Sequence, residues 1–128
     1  MTDELVQFLR DRFAIEEQVA KDASPGPWHI NPEADEVLAV DGIVVAEGFA
    51  LSGHQLRATT EHIARHDPAR VLADIDGRRR ILNDYEYYDA MADPSDAEAG
   101  RAEGLTYAVQ CLALPYATHP DYRPEWRP

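Results

Sequence analysis

The chemistry-bearing residues of this chain are concentrated in Glu61-His-Ile-Ala-Arg-His-Asp-Pro-Ala-Arg-Val-Leu72, which holds two histidines and two arginines beside Glu61 and Asp67. His62 and His66 are four apart and share a helix face, the geometry of a two-histidine metal site. A working metal centre needs a third and a fourth ligand, and no local residue supplies them. His29, His54 and His119 could meet this pair only through the fold. No nucleophile elbow, phosphate-cradling glycine loop, dinucleotide fingerprint or zinc-protease helix motif occurs, and the glycines are too scattered to cradle a phosphate. The expectation is therefore no catalytic function and no cofactor or metal. A histidine-based metal-dependent hydrolase is the remaining catalytic alternative.

Two helices must position this block. Asp67-Pro68 is a helix start, because an Asp at N-cap accepts from the orphan amides of the first turn and a Pro at the first position loses no bond. The spacing predicts a short helix over residues 54–66 and a longer one over 68–88, buried through Val71, Leu72, Ile75, Leu82 and Tyr85. An N-terminal helix is expected over residues 3–22, with Leu5, Phe8, Ile15 and Val19 on one stripe and Leu9 and Phe13 beside it. Ser24-Pro-Gly-Pro27 ends it and delivers Trp28, read as a core anchor, to a fixed place. Val37–Val40 and Ile43–Ala46 flank Asp41-Gly42 and predict a hairpin over 37–46 with a two-residue type I′ loop. Trp28–Ile30 could add a third strand.

Downstream, residues 84–103 hold seven acids against Arg101 alone, together with Tyr85, Tyr87 and Tyr88. Such a stretch reads as a solvated face or a mobile loop centred on Asp93-Pro-Ser-Asp96. A last helix over 96–114, buried through Ala102, Leu105, Val109 and Leu112, ends at Pro115. The tail 116–128 has Pro120, Pro124 and Pro128 among Tyr116, Tyr122 and Trp126, so it should run extended and pack back, with Trp126 near the 54–88 helix pair. The fold class is α+β in a single domain spanning residues 1–128, with a small antiparallel sheet of two or three strands packed on about four helices.

Composition narrows the partners. The chain has 128 residues, enough to bury roughly two thirds of its unfolded surface. Its 24 acids against 12 bases give a net charge of −12, which repels nucleic acid and anionic membranes. The longest apolar run, Ile43–Ala46, cannot span a bilayer, and Asp3 and Glu4 stand where a signal peptide would be basic. A cytoplasmic location is expected. Cys111 is the single cysteine and reads as a buried inert thiol.

Ser24-Pro-Gly-Pro-Trp28, the block 61–72 and the tail Leu112–Pro128 together resemble a family of actinobacteria and their phages, domain of unknown function 6221. The three blocks stand in the family's order and, with the N-terminal helix, cover nearly the whole chain. The resemblance implies a small cytoplasmic accessory protein with no known activity. Many relatives carry cysteines between the 68–88 helix and the tail, where this chain is acidic and tyrosine-rich, so no zinc role carries over.

Two non-catalytic functions follow. In the first, the protein is an interaction or regulatory module that binds another protein through Trp28, His62, Arg65, His66, Arg70, Tyr116, Tyr122 and Trp126. In the second, the acids of 84–103 imitate a nucleic acid and inhibit a DNA-binding or defence enzyme. The second needs rigidly held carboxylates, and the Asp93–Asp96 loop reads as flexible. A homodimer stays open as a third arrangement.

Overall fold

Four α-helices and a three-stranded antiparallel sheet make up the computed structural model, which describes residues 2–49 and 52–128. The order is α1 (Thr2–Asp22), β1 (His29–Ile30), β2 (Glu36–Leu38), β3 (Val44–Glu47), α2 (Gly53–Arg65), α3 (Pro68–Asp89) and α4 (Asp96–Ala113). Helices and hairpin fall where the hydrophobic spacing places them, and the α+β class is the observed one. None of the described helices is long and apolar enough to cross a membrane. The chain divides into two compact units, one of Ile15–Asp74 and one of Met1–Ala14 with Ile75–Pro128.

In the 15–74 unit the strand order is β1-β2-β3, and the sheet packs against α2. Val37 of the central strand is fully buried, as are Ala34 and Ala39. Thr60 of α2 is 2% exposed, and its hydroxyl lies 2.9 Å from the Ala34 carbonyl, tying the helix to the loop before β2. A hydroxyl has one proton to donate, so the Leu56 and Arg57 carbonyls, 3.0 and 3.2 Å away, compete for it. The β1–β2 turn is built on Asn31, whose side-chain oxygen accepts from the amides of Asp35 and Glu36 at 3.0 Å each. Such local bonding is what Asn offers at turns.

The hairpin differs from the expected two-residue type I′ loop. Gly42 N–H donates to the Ala39 carbonyl and Ala39 N–H donates to the Ile43 carbonyl, both at 2.9 Å. That leaves a three-residue loop of Val40, Asp41 and Gly42, in which Gly42 alone has a positive φ, +84°. A type I′ turn requires positive φ at both central residues, whereas a three-residue loop requires it only at the last. The strands are correspondingly offset: Val37 pairs with Ala46 but Leu38 with Val44, and Val45 is the bulged residue.

In the other unit Leu5, Leu9 and Phe13 of α1, Ile75, Leu82 and Tyr85 of α3, and Val109 and Ala113 of α4 are each at most 1% exposed. Val6 is buried too, although its spacing did not single it out. The α1 stripe is corrected at Ile15 and Val19, which are 52% and 65% exposed. At 100° per residue they project from the Phe8 side of α1, two and three turns further along. Phe8 is buried because the tail covers it. Its ring has Tyr116, His119, Tyr122 and Trp126 at centroid distances of 6.0, 5.4, 6.3 and 5.1 Å.

The tail is not simply extended. Pro115 and Pro124 each sit in the first turn of a short 3-10 segment, Leu114–Tyr116 and Pro124–Trp126. Proline forbids helix interiors but suits helix starts, and that is the use made of it here. Trp126, expected near the 54–88 helices, is 2% exposed and meets Phe8 of α1. Burial of such a ring is worth about 2–3 kcal/mol, with about 0.5–1.5 kcal/mol more for each well-placed aromatic pair. That outweighs the burial of Trp126 Nε1 and Tyr122 Oη without a protein acceptor, about 1–3 kcal/mol each, only because several rings contribute together.

Gly42 gives the direct check on the hairpin. A Cβ there would meet nothing within 4 Å, so the strain of a substitution is purely conformational. Gly42→Val should cost about 1 kcal/mol or more in urea denaturation because a β-branched residue resists positive φ. An unchanged midpoint would contradict the loop.

Candidate functional site

Asp67 is the residue from which the site is built. It is 7% exposed and ends the connection from α2 to α3. One carboxylate oxygen, Oδ1, accepts from the Arg70 amide at 2.9 Å, which is N-capping of α3. The other, Oδ2, accepts from the Trp28 amide at 3.0 Å, thirty-nine residues earlier in the chain. One carboxylate thus fastens the Ser24–Trp28 turn, with its cis Gly26-Pro27 bond, to the start of α3. Gly26 allows this approach, since a Cβ there would lie 2.7 Å from Asp67 Oδ2. Burying a carboxylate is tolerable only when both oxygens are satisfied, and here both are.

Trp28 is held twice, by its amide on Asp67 and by its indole N–H, which donates to the Ser24 carbonyl at 2.8 Å. Trp28 is nevertheless only half-buried, which corrects the reading of it as a core anchor. It lines a groove of about 350 Å³ with Ile30, Glu61, Ala64, Arg65 and Asp67. Arg57 lies 3.9 Å from Glu61 along α2.

The eight sequence-derived residues divide between the two units, five in residues 15–74 and three in the other, and only some of them line a groove. Trp28 and Arg65 line the groove just described. His62 on α2 and His66 at its C-cap are both exposed, with ring centroids 4.3 Å apart. His66 Nδ1 is 2.6 Å from the His62 carbonyl, which can only accept, so Nδ1 carries the proton and caps the helix end. Among the described residues no group of three His, Cys, Asp or Glu is placed to hold a metal ion. Arg70 is exposed, with Nη1 3.3 Å from the Arg65 carbonyl.

Tyr116, Tyr122 and Trp126 belong to the other unit. Tyr122 and Trp126 line an open groove of about 550 Å³ with Phe8, Arg12 and Arg123 among its walls. Arg123 is paired with Glu4 at 2.6 Å, and Arg12 Nη1 is 2.6 Å from His119 Nε2. An arginine only donates, so Nε2 accepts. The Asp121 amide, 3.1 Å from Nδ1, is then not a second bond, because a neutral imidazole accepts at one nitrogen only. With its ring buried, Trp126 has no open face for a partner unless the tail lifts.

The acidic stretch is better held than a mobile loop. Asp84, Glu86 and Asp89 lie on α3 and Asp96, Glu98 and Glu103 on α4. Asp84 pairs with Arg101 at 2.9 Å, Glu86 pairs with Arg10, and Glu98 completes a capping box with Ser95. Accepting from the Ser95 amide, then from its hydroxyl, holds the exposed Glu98 carboxyl below its ordinary range. Arg101 is held above its ordinary value, first by the bond to Asp84. Cys111, expected buried, is half-buried and free.

Asn31 and Thr60, which shape the loop beside the groove, went unread in the sequence. Asn31-Pro32 does carry a turn signal. Nothing local to Thr60 does, since its burial depends on the distant Ala34 carbonyl.

Four helices with a three-stranded antiparallel sheet make this a small α+β protein. A family profile described as a family of unknown function, DUF6221, matches residues 2–128, and the chain belongs to that family. Comparison with curated proteins and with solved structures gives no match.

Asp67→Ala should cost about 1–2 kcal/mol in chemical denaturation, since it removes the N-cap of α3 and leaves two part-buried amides without their acceptor. Asp67→Asn, with one acceptor oxygen, should fall between wild type and alanine. Equal stability of all three proteins would remove Asp67 from its role.

Proposed function

We propose that this protein is a non-catalytic interaction module, cytoplasmic in location, that holds another protein through the groove beside Trp28. The observation that carries the reading is the state of Trp28. Both of its N–H groups are satisfied internally while it stays half-buried in the groove it lines with Arg65. A rigid aromatic that needs no hydrogen bond from a ligand, beside an exposed cation, is a pre-organised anchor. About 350 Å³ suits one or two side chains of a partner. His62, in the last turn of α2, and His66, its C-cap, are not among the residues that line the groove.

Nucleic-acid mimicry by residues 84–103 ranks lower for a specific reason. Six of the seven acids are held on helices, but Asp84 and Glu86 already face Arg101 and Arg10, so the face is partly neutralised. An imitation of a phosphate array needs those charges open.

The test is capture of a partner from the native host by three proteins: wild type, Ala64→Trp, which fills the groove, and Arg65→Glu, which reverses an exposed charge. A partner retained by wild type should be lost by both variants at unchanged melting temperature. The same partner held equally by all three would overturn the groove as the binding face.

A further inference from the structure

We propose that the outer edge of β3 takes up an extended, basic segment of a partner protein as a fourth strand of the sheet. The two edges of the sheet are treated differently. β1 is two residues long and lies between Pro27 and Pro32, and short strands with nearby prolines are how proteins close an edge to pairing. β3, Val44-Val-Ala-Glu47, has neither proline nor lysine on it, and none of its residues is buried. An edge of this kind presents a row of backbone donors and acceptors to any strand that can reach it.

The surroundings say what sort of strand. Val40, Ile43 and Val44 are 55%, 62% and 44% exposed, and Phe49, two residues beyond the strand, is 88% exposed. Four large apolar side chains are thus left in water along one short segment beside the open edge, where an added strand could cover them. Residues 30–53 also contain five acids, Glu33, Asp35, Glu36, Asp41 and Glu47, and not one Lys, Arg or His. The register sets Glu36 of β2 directly opposite Glu47 of β3. Like charges in that position oppose one another, and among the described residues Glu36 has the neutral Asn31 amide, 3.1 Å from Oε1, to offset it. A lysine or arginine on a strand laid beside β3 would come next to Glu47 and turn the repulsion into an attraction.

That charge pattern selects the occupant. A second copy of this chain would bring its own Glu47 and Asp41 to the edge and add repulsion. A neutral or acidic strand would leave the Glu36–Glu47 pair unrelieved. An extended segment alternating valine- or isoleucine-like residues with lysine or arginine answers the backbone row, the apolar patch and the charge at once. This surface is at the opposite edge of the sheet from β1, so it goes beyond the Trp28 groove and stands or falls separately.

The full-length protein is titrated with a short synthetic peptide alternating valine with lysine and arginine, and amide exchange across Val44–Glu47 is followed by NMR. Two control peptides are run beside it, one N-methylated at alternate amides and one with glutamate for every basic residue. The basic peptide should bind and slow exchange in β3, and each control should bind at least about tenfold more weakly. Glu47→Lys, at an exposed position, should weaken the basic peptide to the same degree, while Ala64→Trp should leave it unchanged. Equal binding of the methylated peptide would mean charge attraction alone and would overturn the proposal. So would the absence of binding, or protection of β3 that rises with protein concentration before peptide is added, which would assign the edge to a second copy.

Discussion

A single buried carboxylate fixes the part of the chain that carries the candidate groove. Asp67 accepts from the first turn of α3 and from the amide of Trp28, so a helix start and a proline-glycine turn far apart in sequence are joined at one side chain. Each bond alone is ordinary. Together they satisfy a group that would be expensive to bury with either one missing, which makes the arrangement closer to all-or-none than to additive. Gly26 is required by the same contact, because any Cβ there competes for the space of the carboxylate. The orientation of Trp28, and with it the groove, follows.

The 1–14 and 75–128 unit rests on a different interaction. There the prolines and aromatics of the tail close over Phe8, and apolar area is the dominant contribution. Polar atoms are treated accordingly. Trp126 Nε1 and Tyr122 Oη are buried without protein acceptors, a loss accepted for the sake of ring packing. The ion pairs nearby, Glu4 with Arg123 and Asp84 with Arg101, are each about half exposed, where solvent screens them and they contribute little.

Sequence reading recovered what local rules determine. The four helices and the hairpin follow from spacing, capping residues and prolines, and Asp67-Pro68 was legible as a helix start. Its second bond was not, since no local rule connects Asp67 to Trp28. The hairpin loop was misread because Asp-Gly suits both two- and three-residue loops, and the choice lies in how the strands pair across the bulge at Val45. Trp126 was legible as buried but its partner Phe8 was not, because tail prolines show that the chain folds back and not onto which helix. Of the candidate site, Trp28 and Arg65 come together as one surface, while His62, His66 and Arg70 lie at helix ends and do not line it. The edge of β3 was invisible: strand order, which leaves Val44–Glu47 outermost, is a property of the fold.

The central claim is that the Asp67 carboxylate and the bare Cα of Gly26 are one device, and a double-mutant cycle on stability measures it directly. Gly26→Ala should be clearly destabilising in the wild type and close to neutral once Asp67→Ala has removed the carboxylate, giving a coupling of about 1 kcal/mol or more. Costs that simply add, to within about 0.5 kcal/mol, would contradict the account.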